Sequence, residues 1–211
     1  MMTVADPIIR PFIPGTTGWT ASDLDEPAIE SKWANGAFEI VEGVLTTMPP
    51  AYYPAGRSFI KLIVLIENHL AQAQIPGGVS SEVEIVIDEQ RVLRADGAFL
   101  TPQDLERQRV ASRRAGKISP DKSRFYVPPT LIIESVSPGH ETHDRLIKRR
   151  WYAEFRVPHY WILDAYAKRL ECLLLEGSDY RIDAQGTAND ELHPSLFPDL
   201  TIPLARIWPE T

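Results

Sequence analysis

Apolar positions along the chain follow two rhythms. Between Pro54 and Gln74, Phe59, Ile60, Ile63, Val64, Ile66 and Leu70 recur mostly at three- and four-residue steps. That spacing predicts one long amphipathic helix, stopped by the Ile75-Pro76-Gly77-Gly78 run. Elsewhere, short apolar runs bounded by turn residues predict strands: "VSSEVEIVID" (79–88), "VLRADGAFL" (92–100), a run within 130–137, "VPHYWILD" (157–164) and "RLECLLLEG" (169–177). "SDYRID" is a candidate edge strand. Phe38 and Ile40 on one side, and Val44 and Leu45 on the other, flank a Glu42-Gly43 turn and predict a hairpin.

"DEPAIESKWAN" reads as a short helix, with Gly36 in the position favoured past a helix C-terminus. A second main helix is expected over about 142–155, after the Pro138-Gly139 break. Strands interrupted by two main helices predict an α/β domain with a mixed sheet flanked by helices. Pro7, Pro11, Pro14, Gly15 and Gly18 predict an extended N-terminal arm, so the expected division is 1–35 for arm and short helix and 36–211 for a single domain. Residues 101–128 are polar and carry Pro102, Pro120 and Pro128. They read as a long connection of the kind that often carries function. The tail from His193 to Trp208 reads as an irregular wrap anchored by Leu196, Phe197, Leu200, Ile202, Leu204 and Trp208.

Composition narrows the class. The chain has 211 residues, 44% hydrophobic and 24% charged, enough to bury a core without covalent staples. The single cysteine, Cys172, rules out an internal disulfide framework and fits the reducing cytoplasm. It sits in an apolar run and reads as a small buried hydrophobe. No stretch approaches about 20 apolar residues, so no membrane span is expected. The N-terminus has no basic start followed by a long apolar core, and is not expected to be a secretory signal. A net charge of −7 argues against nucleic-acid binding by the whole surface, while leaving room for a local basic site.

One segment raises a chemical question. Leu131, Ile132 and Ile133 lead straight into Glu134. Alternation puts Ile132, Glu134 and Val136 on one face. A lone ionised carboxylate on a covered face costs several kcal/mol, roughly, unless a cation pairs with it. The strand at 92–100 is interrupted in the same way by Asp96. If the two strands are neighbours, these acids need a basic group or a divalent cation between them, and Mg²⁺ takes such oxygen donors. In "THDRLIKRRWYAEF", Lys148 stands one helical turn after Asp144, on a helix that can fold back beside its own strand.

"PTLIIESVSPGHETHDRLIKRRWYAEFRVPHYWILD", with "FEIVEGVL" and "RADGAF" upstream, resembles the Uma-two family of endonucleases. That family belongs to the PD-(D/E)XK nuclease superfamily, and the resemblance spans roughly residues 36 to 204. It implies a restriction-endonuclease-like domain that hydrolyses DNA phosphodiesters with Mg²⁺ or Mn²⁺. It implies that Asp96, Glu134 and Lys148 are catalytic, with Glu39 from the hairpin beside them. Asp96, Glu134 and the Ser135 carbonyl would hold the metal, and Asp144 would support Lys148. The superfamily lysine usually stands two residues after the strand acid, where this chain has Val136; Lys148 on the following helix matches the lysine that takes over. Ala95, Ser135, Arg156 and His159 depart from the family pattern, as does Arg57, which replaces a histidine near the start of the long helix.

Positive groups for a DNA backbone are at hand in Arg57, Arg113, Arg114, Lys117 and Arg149. Arg107, Arg109, Lys122 and Arg124 add charge between 107 and 124, and Arg150 follows Arg149. A homodimer would supply two sites for cutting two strands. Other readings of the same residues stand beside this one. Glu134 and Lys148 can form a structural ion pair, Asp96-Gly97 can shape a turn, Glu39 can lie on a solvated hairpin face, and basic loop residues can simply be solvated. The fold can serve as a binding module without cutting. His140 and His143, with Asp144, sketch a zinc pair that lacks a third histidine at a suitable spacing. His159, Tyr160 and Trp161 read as packed core more readily than as a base-stacking platform.

Overall fold

The computed structural model describes residues 11–48, 52–114, 124–136 and 143–209. Its helices are α1 (Pro27–Ala34), α2 (Tyr53–Ala73), α3 (Pro102–Arg114) and α4 (Arg149–Glu154), the last entered through a π-helical segment, His143–Lys148. Nine described strands form one mixed sheet: β1 (Phe38–Val41), β2 (Val44–Thr47), β3 (Gly78–Asp88), β4 (Arg91–Leu100), β5 (Arg124–Phe125), β6 (Leu131–Ser135), β7 (His159–Asp164), β8 (Arg169–Glu176) and β9 (Asp179–Thr187). Two short strands, β10 (Glu191–Leu192) and β11 (Ile202–Pro203), pair separately. The main order is β2-β1-β4-β6-β7-β8-β9, with β3 beside β4 and β5 beside β3. β6 and β7 run parallel, as do β3 and β5, and the other described pairs are antiparallel.

Local chemistry explains the main joints. Glu42 and Gly43 both take positive φ, 51° and 76°, as a two-residue hairpin turn with the right twist requires. α2 carries a proline in its first turn and ends at left-handed Gln74, where the Ile75 N–H donates to the Leu70 carbonyl. α4 ends the same way. Arg156 stands at φ 66°, and the Val157 N–H donates to the Tyr152 carbonyl at 3.0 Å. This turn aims the chain into β7, so β6, the helix and β7 form one strand–helix–strand unit.

The sheet separates two cores. On one face, Leu62, Ile66 and Leu70 of α2 pack with Phe99, Leu131, Ile133, Trp161 and the tail anchors Phe197, Leu200, Ile202, Leu204 and Trp208. On the other, Trp151 and Tyr152 of α4 pack with Ile132, Val136, Tyr160 and Ile162. A third core joins Trp19, Leu24, Ile29 and Trp33 to Ile40, Leu45 and Val92. The segment before α1 runs along β2, with Gly15 N–H donating to Leu45 O and Trp19 N–H to Gly43 O.

Two expectations change. The polar stretch from 101 contains α3 and then β5 rather than a bare connection. Periodicity could not reveal α3 because it is polar nearly all round. Its signal is the reciprocal cap, in which Thr101 N–H donates to Asp104 Oδ2 and Asp104 N–H donates to Thr101 Oγ1. Ile60 and Val64 of α2 face outward, so the apolar pattern is wider than the buried stripe. Gly36 stands just past the Asn35 cap of α1, as expected, without being left-handed; its lack of a side chain leaves room for the Phe38 ring, whose Cε2 lies 2.0 Å from where a Cβ would stand.

Candidate active site

Glu39, Glu134 and Lys148 converge beneath the α4 face of the sheet, at 4%, 2% and 4% exposure. Lys148 Nζ lies 3.1 Å from Glu39 Oε1 and 3.2 Å from Glu134 Oε1. Glu39 comes from β1, and its Oε1 also accepts the Arg94 N–H of β4 at 3.0 Å. Glu134 comes from the C-terminal end of β6. Lys148 is the last residue of the π-helical segment, a helical irregularity common at functional positions. A buried ammonium thus offsets two buried carboxylates, the compensation that sequence physics demanded for Glu134.

Asp96 completes the group through the backbone. Gly97 pairs with Ile133 across β4 and β6, so the next step along the ladder sets Asp96 opposite Glu134. Asp96 Oδ2 accepts the Ser135 N–H at 2.6 Å. The Asp96-Gly97 turn is overturned: both residues lie inside continuous β4. The strand is nevertheless locally irregular here. Ala95 and Ala98, three residues apart, share one core, which strict alternation forbids, and Glu82 on the facing strand takes φ 52°. Gly97 allows close approach of α2: a Cβ there would meet the Phe59 ring at 2.8 Å. The solvated-face reading of Glu39 is likewise overturned by its burial.

Other candidate residues fall elsewhere. Arg149 Nη2 donates to Tyr180 O and to Asp179 Oδ1, tying it to the start of β9. Arg57 and Arg113 are exposed, on α2 and α3. The side chains of Arg114, His143 and Asp144 lie outside the described parts of their helices, and Lys117, Lys122 and His140 lie outside the described residues. Arg107 pairs with Asp104, and Arg109 with Glu106. Tyr160 and Trp161 are fully buried, so they are core and offer no stacking platform. Cys172 is buried too, and burial pushes its thiol well above the usual value, away from nucleophilic use. Burial also lowers His159 below the ordinary histidine value. Among the described residues no group of three or more His, Cys, Asp or Glu side chains is arranged to hold a metal, so a cation site here would need a main-chain donor such as the Ser135 carbonyl.

Two features escaped the sequence. Tyr152 donates its hydroxyl to Glu134 Oε1 at 2.7 Å; its place four residues after Lys148 was the available signal. Glu84 organises a second buried ionic group. Its Oε1 accepts Trp33 Nε1 at 2.7 Å and Arg94 Nη2 at 3.0 Å, and its Oε2 accepts Arg124 Nε at 3.0 Å. Burial works against the Arg124 charge, and the adjacent Glu84 carboxylate more than restores it. This group locks α1, β3, β4 and β5 around Arg94, whose backbone holds Glu39.

The model of the Uma2 family, described as "Putative restriction endonuclease", matches residues 30–205. The fold resembles the crystal structure of "a putative nuclease belonging to DUF820" from Anabaena variabilis ATCC 29413. The TM-score is 0.62 at 13% identity, covering 82% of this chain and 90% of that one. No curated protein sequence matches the chain. Among the described residues no helix is long and apolar enough to cross a membrane.

Proposed function

Because the chain belongs to the Uma2 family, we propose that Glu39, Asp96, Glu134 and Lys148 form the active site of a divalent-metal-dependent DNA endonuclease. The observation that carries this reading is the buried amine between two carboxylates, next to a third carboxylate on the adjoining strand. A structural ion pair needs one acid; here one buried lysine holds two, with Asp96 on the strand between theirs, an arrangement that is costly to keep without use.

The donor set suits Mg²⁺ or Mn²⁺. Asp96, Glu134 and the Ser135 carbonyl are hard oxygen donors, and half-buried Asp96 opens the group toward solvent. Bound there, such an ion would supply Lewis acidity and a more acidic water. The chain's own groups do the rest. Asp96 takes the Ser135 N–H and so fixes the end of β6. Lys148 holds Glu39 and Glu134 in place and presents an ammonium where negative charge grows on a phosphate. Arg57 and Arg113 offer exposed positive charge to the DNA backbone.

Plasmid cleavage with Mg²⁺ or Mn²⁺, abolished by EDTA, is the expected result. Asp96→Asn and Glu134→Gln should each lose at least about a hundredfold in rate while remaining folded. Variants that cut as fast as the parent would remove the assignment. A second reading, a binding module, draws on the fact that Lys148 and Tyr152 already satisfy Glu134. It predicts salt-sensitive DNA binding, lost in Arg113→Glu, with no hydrolysis under either metal.

A further inference from the structure

Tyr152 lies one helical turn after Lys148, so the two side chains leave the same face of the helix. Its ring is fully buried. The Tyr160 ring centroid is 5.2 Å away, and Tyr180 stands 5.7 Å beyond Tyr160. A phenylalanine would fill that space equally well, so packing does not account for the hydroxyl. The hydroxyl donates at 2.7 Å to Glu134 Oε1, the oxygen that also receives Lys148 Nζ. Lys148 is shared with Glu39 and cannot hold Glu134 alone. A carboxylate turns easily about its terminal torsion unless donors fix it. Tyr180 makes the contrast: its hydroxyl donates to a backbone carbonyl, that of Val157.

We propose that Tyr152 is a positioning residue of this site, its hydroxyl holding the Glu134 carboxylate in the orientation in which it receives a divalent cation. This rests on the nuclease reading. Being fully buried, Tyr152 cannot touch DNA, which separates its role from substrate binding.

The test compares the full-length parent with Tyr152→Phe and Tyr180→Phe. Three quantities are read: cleavage kcat and KM, Mn²⁺ affinity by calorimetry without DNA, and melting temperature. Loss of a partner that orients a metal ligand commonly costs about 10–100-fold in affinity or activity. Tyr152→Phe should therefore weaken Mn²⁺ binding by about tenfold and lower kcat by about 10–100-fold, with KM for DNA unchanged. Tyr180→Phe should lower the melting temperature and leave Mn²⁺ affinity alone. A folded Tyr152→Phe with parental Mn²⁺ affinity and kcat overturns this proposal and leaves the nuclease reading standing. A parent that binds Mn²⁺ without cutting DNA defeats the nuclease reading, while the calorimetry still decides Tyr152. A parent that does neither ends both. Should Tyr152→Phe fail to fold, the parent labelled with ¹³Cζ-tyrosine decides instead: Mg²⁺ should shift the Tyr152 signal and not that of Tyr180, and an unmoved Tyr152 signal overturns the proposal.

Discussion

Lys148→Met isolates the electrostatic content of the site. Methionine keeps an unbranched, flexible stem of similar volume and deletes the ammonium. That ammonium lies 3.1 Å from Glu39 Oε1 and 3.2 Å from Glu134 Oε1, and the three side chains are 5%, 6% and 3% exposed. Removing one partner of a buried pair costs about 3–5 kcal/mol, because the remaining charge is left uncompensated. Here two carboxylates remain, so the upper part of that range, about 4–5 kcal/mol, is expected. For a chain of this size each kcal/mol moves the melting temperature by about 2–4 °C, giving a drop of about 8–20 °C. Urea unfolding at pH 7 with chelator present measures the free energy, and calorimetry the melting temperature. Adding Glu39→Gln removes one of the stranded charges. The double variant should thus be about 2 kcal/mol more stable than the sum of the single losses predicts. A loss below about 1 kcal/mol for Lys148→Met, or strict additivity with Glu39→Gln, would refute the claim that one buried cation serves both acids.

Other outcomes follow from single positions. Gly97→Ala places a Cβ 2.8 Å from Phe59 Cζ and should cost about 1–3 kcal/mol in urea unfolding, relieved by Phe59→Leu in the same chain. Arg156 stands at φ 66°, so Arg156→Gly should be about 1–2 kcal/mol more stable than Arg156→Ala, which equally loses the guanidinium contact with the Gly177 carbonyl; equal stabilities would contradict the strain argument. Burial alone would raise the Asp104 carboxyl. The Thr101 N–H, the Thr130 hydroxyl and Arg107 outweigh it and hold the group below its usual value. A depressed folded value means that its stabilisation is complete above the unfolded value, near 3.8, and is lost as pH falls through the folded one. The stability gap between the parent and Asp104→Asn should therefore be widest near neutral pH and shrink below about pH 4, and a pH-independent gap would count against this.

How much of this was readable in the residues depended on which physics set each element. α2, the β1–β2 hairpin, β6 and the tail anchors were legible because burial on one face imposes a period, and the turn at Glu42-Gly43 demands particular residues. The inward Glu134 was legible as an anomaly, since an acid within an apolar strand calls for a partner. α3 was not, because a helix held by its cap and by Asp104 needs no apolar period. Its buried end is held by side chains from 26 residues away, as in the Thr130 hydroxyl to Asp104 bond. Glu39 reads as half-solvated until β4 is laid beside β1, and the Glu84 group likewise depends on Trp33, Arg94 and Arg124 meeting from distant segments. Tertiary partners of charged groups leave no periodic trace.

The same reasoning explains why the amine reaches the acids from a helix. Two residues after Glu134, on the same face, stands Val136, which is 1% exposed and packed among Ile132, Tyr152, Tyr160 and Ile162. A lysine there would have to place its charge within that apolar layer. The helix that covers the layer can instead bring an amine down onto the strand acids from above. It does so at Lys148, where the π-helical segment ends and α4 begins, and Tyr152 follows one turn later on the same oxygen of Glu134. An α-helix repeats every 3.6 residues, so this pair shares one face, while Trp151 and Ala153 on either side of Tyr152 serve the core. Replacing Val136 with lysine in Lys148→Met therefore should not restore the site: the new amine would start from a packed strand position, and stability should fall below that of Lys148→Met alone.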